Sequence, residues 1–104
     1  MKITILTVGK IKEKFYREAI EEYTKRLSRY SRVEIVEVAD EKTPDRASEA
    51  EEKLIKEKEG ERLLRYVKDT DYVCALAIEG RQLDSVELSG KLEALGVGGV
   101  SSIV

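Results

Sequence analysis

Histidine is absent from this chain of 104 residues, and cysteine occurs once, as Cys74. Those two facts exclude the usual zinc ligand sets, a Ser-His-Asp triad, a Cys-His pair and any disulfide within the chain. A lone thiol also makes the reduced cytoplasm the expected compartment. Proline occurs once, in the stretch "DEKTPDRAS", which reads as a loop. No apolar run approaches the ~20 residues that span a bilayer. The opening "MKITILTVGK" carries a charge and an apolar stretch, but Gly9-Lys10 stands where a signal peptide would have its small-residue cleavage site. It reads as a first strand. Neither a membrane nor a metal is expected.

What is present is a balance of 41% hydrophobic and 38% charged residues, the mark of a globular domain with charged outer helix faces. The length allows one domain, burying roughly two-thirds of its unfolded surface. Net charge is −2 and unevenly spread. Residues 1–32 hold nine Lys/Arg against four Asp/Glu, and the remainder holds ten against seventeen. A basic head on an acidic body can mark an end that faces a polyanion. On charge alone, ordinary solvated helix faces are the favoured account.

Hydrophobic periodicity gives the order β-α-β-α-β-α-β. "KITILTV" is rich in Ile, Thr and Val and reads as a strand buried on both faces, ended by Gly9. From Lys12 to Tyr30 the residues Phe15, Ala19, Tyr23, Leu27 and Tyr30, with Ile20 beside them, form one helical stripe. Such a stripe is expected to face the core or a second copy rather than to stack bases. "RVEIVEVAD" is a second strand whose Glu34 and Glu37 predict an edge position. Ser48 and Glu51 form a capping box opening a helix to about Tyr66, with Ala50, Leu54, Leu64 and Val67 turned inward. Gly60 in its middle costs about 1 kcal/mol relative to alanine, so a packing reason is expected. "DYVCALAIEG" predicts a central third strand over 72–78 with Cys74 as an inert core thiol. Asp84 and Glu87 form a second capping box, and Leu88, Leu92 and Leu95 line a third helix that Gly96 ends. "SSIV" begins a fourth strand, with no polar tail after it. Alternation of this kind predicts an α/β fold, a parallel sheet flanked by helices.

In open parallel sheets ligands sit beyond the carboxyl ends of the strands. Here those ends are Val8-Gly9-Lys10, Val38-Ala39-Asp40 and Ala77-Ile78-Glu79-Gly80. The glycines of "GVGG" follow a helix and open a strand, so they are a helix cap and turn, not a phosphate loop. Composition and spacing thus reach a cytosolic α/β domain, and nothing catalytic. An enzyme and a small non-catalytic binding or assembly module both remain open at this point.

Four phrases in the same order and spacing resemble the RlmH family of SPOUT-class ribosomal RNA methyltransferases. They are "KITILTVGKIKEKFYREAIEEYTKRLSRY", "EIVEVADEKTP", "EKEGERLL" and "YVCALAIEGRQLDSVELSGKL", which together span nearly every residue. The resemblance implies transfer of a methyl group from S-adenosylmethionine to a base nitrogen of a pseudouridine in large-subunit rRNA. It also implies a cytoplasmic homodimer with a deep trefoil knot, and the ribosome as partner. In that family the strand beginning at "SSIV" runs on into a "FVIGGSLG"-like segment, the knotted loop, a last helix and a basic tail. Residues 1–104 are therefore expected to be the first part of a SPOUT domain, broken off as strand four enters the sheet between strands one and three. The catalytic residues are expected in the part that follows. Carried over by position, Leu76 contacts the cofactor, with Ala77 and Gly80 beside it as a backbone rim against the adenosine. Lys10, Lys12, Lys14 and Arg17 would meet RNA phosphate, contributing affinity without reading sequence.

Overall fold

The computed structural model describes residues 1–104. Three parallel strands lie in the order β2-β1-β3, with β1 at Lys2–Val8, β2 at Arg32–Val38 and β3 at Ser102–Ile103. The helices are α1 (Lys14–Leu27), α2 (Glu49–Leu64) and α3 (Ser85–Val97). The α/β class with a parallel sheet and flanking helices stands, as does the edge position of β2. The β1–β2 register runs unbroken from Lys2 opposite Arg32 to Val8 opposite Val38. Across it, the Lys2 ammonium pairs with Glu34 at 3.2 Å.

The third expected strand is the main correction. Residues 72–78 form no ladder; Tyr72 makes only an isolated parallel bridge to Ile103. Tyr72 N–H donates to Ser102 O at 2.9 Å, Val104 N–H to Tyr72 O at 2.9 Å, and Cys74 N–H to Val104 O at 2.7 Å. Beyond Cys74 the segment pairs with no strand among residues 1–104. A strand is defined by its partner as much as by its own β-branched residues. Cys74 is exposed among these residues, not a core thiol. The topology itself agrees with expectation, since β3 enters between β1 and Tyr72.

Helix caps follow the sequence closely. Ser48 Oγ accepts from Glu51 N–H at 3.2 Å, and Asp84 Oδ1 from Glu87 N–H at 2.8 Å. Helix α3 runs one residue past Gly96 and is capped by Gly98, with Gly99 at φ 96° turning the chain into β3. The inward faces differ from expectation. The stripe residues Phe15, Tyr23 and Leu27 on α1, and Tyr30 just past it, are exposed, and the half-buried side is Ile20 and Thr24, across a groove from Ile35. On α2, Leu54 and Leu64 are exposed, whereas Ile55, Glu59, Arg62 and Leu63 are half-buried. Gly60 has no packing reason here: a methyl group added to it would meet nothing within 4 Å. On α3, Leu92 and Leu95 are half-buried and Leu88 is not.

Packing is thin. Val38 and Ile103 are the only buried apolar residues, joined by Thr4. The accessible surface is 9109 Å², against about 5,900 Å² for a compact fold of this mass. The radius of gyration is 15.9 Å where about 13 Å is usual for this length. Much apolar surface is therefore left exposed.

Candidate functional site

The carboxyl ends of β1 and β2 are tied together at their last rung. Gly9 N–H donates to Val38 O at 2.8 Å, and Gly9 adopts φ 80°, a left-handed turn that lets the chain leave the sheet at once. Lys10 and Lys12 follow on that turn, exposed and in no ion pair. Lys14 and Arg17 open α1, also exposed. Lys14 reaches Glu18 at 3.7 Å, a long and highly solvated pair of little energetic consequence. Phe15 and Tyr16 lie between these cations with ring centroids 4.2 Å apart. The four basic residues named from the sequence thus share one short stretch at the carboxyl end of β1.

Beside it, the carboxyl end of β2 is held by a clasp. Arg62 reaches from α2 to donate to Ala39 O at 2.9 Å and to Glu41 Oε1 at 2.7 Å. One helical turn away, Glu59 Oε2 accepts from the Glu41 N–H at 3.1 Å. The Arg62–Glu41 pair is the least exposed ion pair in the chain, with side chains 30% and 28% exposed. Residues three apart on a helix share a face, so Glu59 and Arg62 can grip the same loop. Sequence reasoning missed this cluster. Its one visible signal was the run "KEKEGERLL", too charged for a core-facing helix side.

The segment expected as a third strand ends in the turn that carries the expected cofactor contacts. Gly80 N–H donates to Ala77 O at 2.9 Å, and a Cβ on Gly80 would sit 3.0 Å from that oxygen, so the turn needs its glycine. Leu76 is 96% exposed. Leu76, Ala77 and Gly80 therefore form an exposed apolar rim over a tight turn.

Two carboxyl groups are perturbed, and both serve structure. The Lys68 backbone N–H, and after it the Ser102 hydroxyl, hold Asp71 below its ordinary value of 3.8. The Glu87 backbone N–H does the same for Asp84 at the start of α3. Neither belongs to a strand end.

Residues 1–104 match in full a family model described as "Predicted SPOUT methyltransferase". The chain belongs to that family of methyltransferases. Within it, the chain is similar to proteins named ribosomal RNA large subunit methyltransferase H, which is the RlmH resemblance its phrases carry. That of Bifidobacterium adolescentis is 57% identical over 103 residues, covering 99% of this chain and 65% of the relative. That of Clostridium beijerinckii is also 57% identical, and that of Clostridium kluyveri 54%, with the same coverage. The chain thus spans 65% of the length of these relatives.

Proposed function

We propose that this chain is the first part of an rRNA methyltransferase that modifies a base nitrogen of a pseudouridine in the bacterial large subunit. Its donor is S-adenosylmethionine, and the whole protein works in the cytoplasm as a homodimer with a trefoil knot. The observation that carries this reading is the insertion of β3 between β1 and the Tyr72 bridge. A strand in that place, continued past Val104, would pair with both neighbours and bring the chain to the carboxyl end of the sheet, where ligands bind. The match along the full chain and the share of the relatives' length support the same view.

The donor supplies a methyl group on a cationic sulfonium; the base nitrogen takes it as the C–S bond breaks onto sulfur and the N–H proton leaves. What these residues contribute is position. Leu76 and the Ala77–Gly80 turn offer a rim for the adenosine, and Lys10, Lys12, Lys14 and Arg17 meet phosphate. The tyrosine face of α1, exposed at Tyr23 and Tyr30, is the surface for a second copy.

Titration calorimetry on residues 1–104 and on the longer protein tests the proposal. The longer protein should bind S-adenosylmethionine with micromolar affinity, and residues 1–104 alone should not. Micromolar binding by residues 1–104 would overturn the placement of most cofactor contacts beyond Val104.

A further inference from the structure

We propose that the outer edge of β2 is a docking edge for an extended, basic segment of a ribosomal protein, which adds to the sheet as a further strand. This rests on the reading of the ribosome as substrate, and it names a protein contact beside the RNA.

The β1–β2 ladder decides which backbone groups stay open. Arg32 N–H donates to Met1 O at 3.2 Å and Gly9 N–H to Val38 O at 2.8 Å, one bond at each end of the ladder. Successive residues of a strand turn their backbone groups to opposite sides. Arg32, Glu34, Val36 and Val38 therefore serve β1, while Val33, Ile35 and Glu37 each turn an N–H and a C=O away from it. No strand lies on that side, since the order is β2-β1-β3, and no other backbone group bonds to these three residues. An open edge of this kind is a template for another extended chain.

A groove runs along the α1 side of the edge. It measures about 460 Å³ and is lined by Ile20, Glu21, Thr24, Lys25, Ser28 and Ile35. Side chains of an added strand alternate between its two faces, so every second one would reach this groove and its two isoleucines. Glu37 follows Ile35 on the same face of β2, and Glu21 stands on the α1 wall. Both carboxylates are exposed and neither is in an ion pair. Lys25 is the one cation in the lining.

These features select the occupant. RNA has no row of N–H and C=O groups at strand spacing, and its phosphates would meet the two carboxylates. A second copy laid along the edge would bring Glu21 and Glu37 of its own. An extended peptide with apolar residues at alternate positions and lysine or arginine among the others satisfies backbone, groove and charge together. Proteins held on rRNA carry basic segments that meet its phosphates.

Residue-resolved hydrogen exchange of the longer protein tests this, with the protein free, bound to intact ribosomes, and mixed with protein-free rRNA. The amides of Val33, Ile35 and Glu37 should exchange readily in the free protein and slow about tenfold or more on ribosomes. Protein-free rRNA should leave them unchanged. Ile35→Pro removes one outward donor and keeps every bond to β1, and edge strands tolerate proline. It should weaken ribosome binding about fivefold, the value of one backbone hydrogen bond. Glu37→Lys keeps the backbone and should weaken binding about twofold, whereas a surface facing RNA would bind more tightly for the added cation. Circular dichroism reports whether each variant is folded, and Glu37→Lys with the exchange data decides the matter if Ile35→Pro is not. Protection already present in the free protein, protection by protein-free rRNA, none on ribosomes, full binding by Ile35→Pro or tighter binding by Glu37→Lys would overturn the docking edge. If the longer protein methylates rRNA and the edge amides stay unprotected on ribosomes, this inference alone is wrong. If they are protected and no methyl is transferred, the functional reading is wrong and the docking edge stands.

Discussion

Replacing Arg62 by methionine removes the clasp while keeping a long stem and a good helix former on α2. Two charge-assisted bonds disappear, to Ala39 O at 2.9 Å and to Glu41 at 2.7 Å. Fully buried, each would be worth about 1.5–3 kcal/mol, and a fully exposed pair about 0.2–1 kcal/mol. With both side chains a little under one-third exposed, and Ala39 itself open to water, the lower half of that range applies. Arg62→Met should therefore cost about 1–2 kcal/mol. In a chain with two buried apolar residues, that is a large share of the total. Urea unfolding followed by far-ultraviolet circular dichroism measures it. A double-mutant cycle with Glu41→Gln should give a coupling of about 0.5–1 kcal/mol. Hydrogen exchange supplies a local readout: freed from a fixed loop, the Glu41 N–H that donates to Glu59 should exchange faster in Arg62→Met. A loss below about 0.3 kcal/mol with unchanged exchange at Glu41 would refute the clasp as a structural device.

Gly60→Ala should stabilise residues 1–104 by about 1 kcal/mol, because the new methyl meets nothing within 4 Å; a loss of stability in urea unfolding would contradict the open helix face. Gly9→Ala should act in the opposite sense, costing about 1–2 kcal/mol, since φ 80° is strained for any residue with a Cβ. Asp84 titrates below its ordinary value of 3.8 when folded, so its contribution is complete above that pH and fades as pH falls through the lower folded value. Asp84→Asn keeps a capping side chain without the charge, so its α3 helicity should decline less steeply below pH 3.8 in an acid titration by circular dichroism; an unchanged acid limb would refute the cap. Changing Lys10, Lys12 and Lys14 together to alanine should weaken ribosome binding and lower its salt slope by about 0.7–0.9 for each phosphate no longer neutralised. An unchanged slope would contradict the basic stretch as the RNA-facing end, and loss of dimerisation by Tyr23→Ala would assign α1 to the second copy.

The features legible in the sequence were those fixed by near neighbours. Ser48 and Asp84 cap their helices through an N–H three residues on, an interaction that needs no tertiary partner. Glu34 and Glu37, three apart and so on opposite faces of the strand, marked β2 as an edge, because charges there cost little in the open. The failures share a cause as well. Residues 72–78 have the composition of a central strand, but composition cannot say whether hydrogen-bond partners lie alongside, and past Cys74 they do not. Leu76 and Cys74 are exposed among residues 1–104. The periodic stripe of α1 is real as a pattern, yet the helix packs through Ile20 and Thr24, and the stripe faces outward. The clasp joins residues 18 to 23 apart through long charged side chains, and no periodicity encodes such an arrangement. At the site, the basic stretch after β1 could be read from charge, while the clasp after β2 could not.

The central claim, that these residues open an rRNA methyltransferase, is tested most directly by methyl transfer itself. The longer protein is incubated with bacterial ribosomes and S-adenosylmethionine carrying a labelled methyl group, and the rRNA is digested and mapped by mass spectrometry. The account predicts label on one nucleoside of large-subunit RNA, a pseudouridine, with the methyl on a base nitrogen. No label in RNA, or label on a ribose or on ribosomal protein, would contradict it.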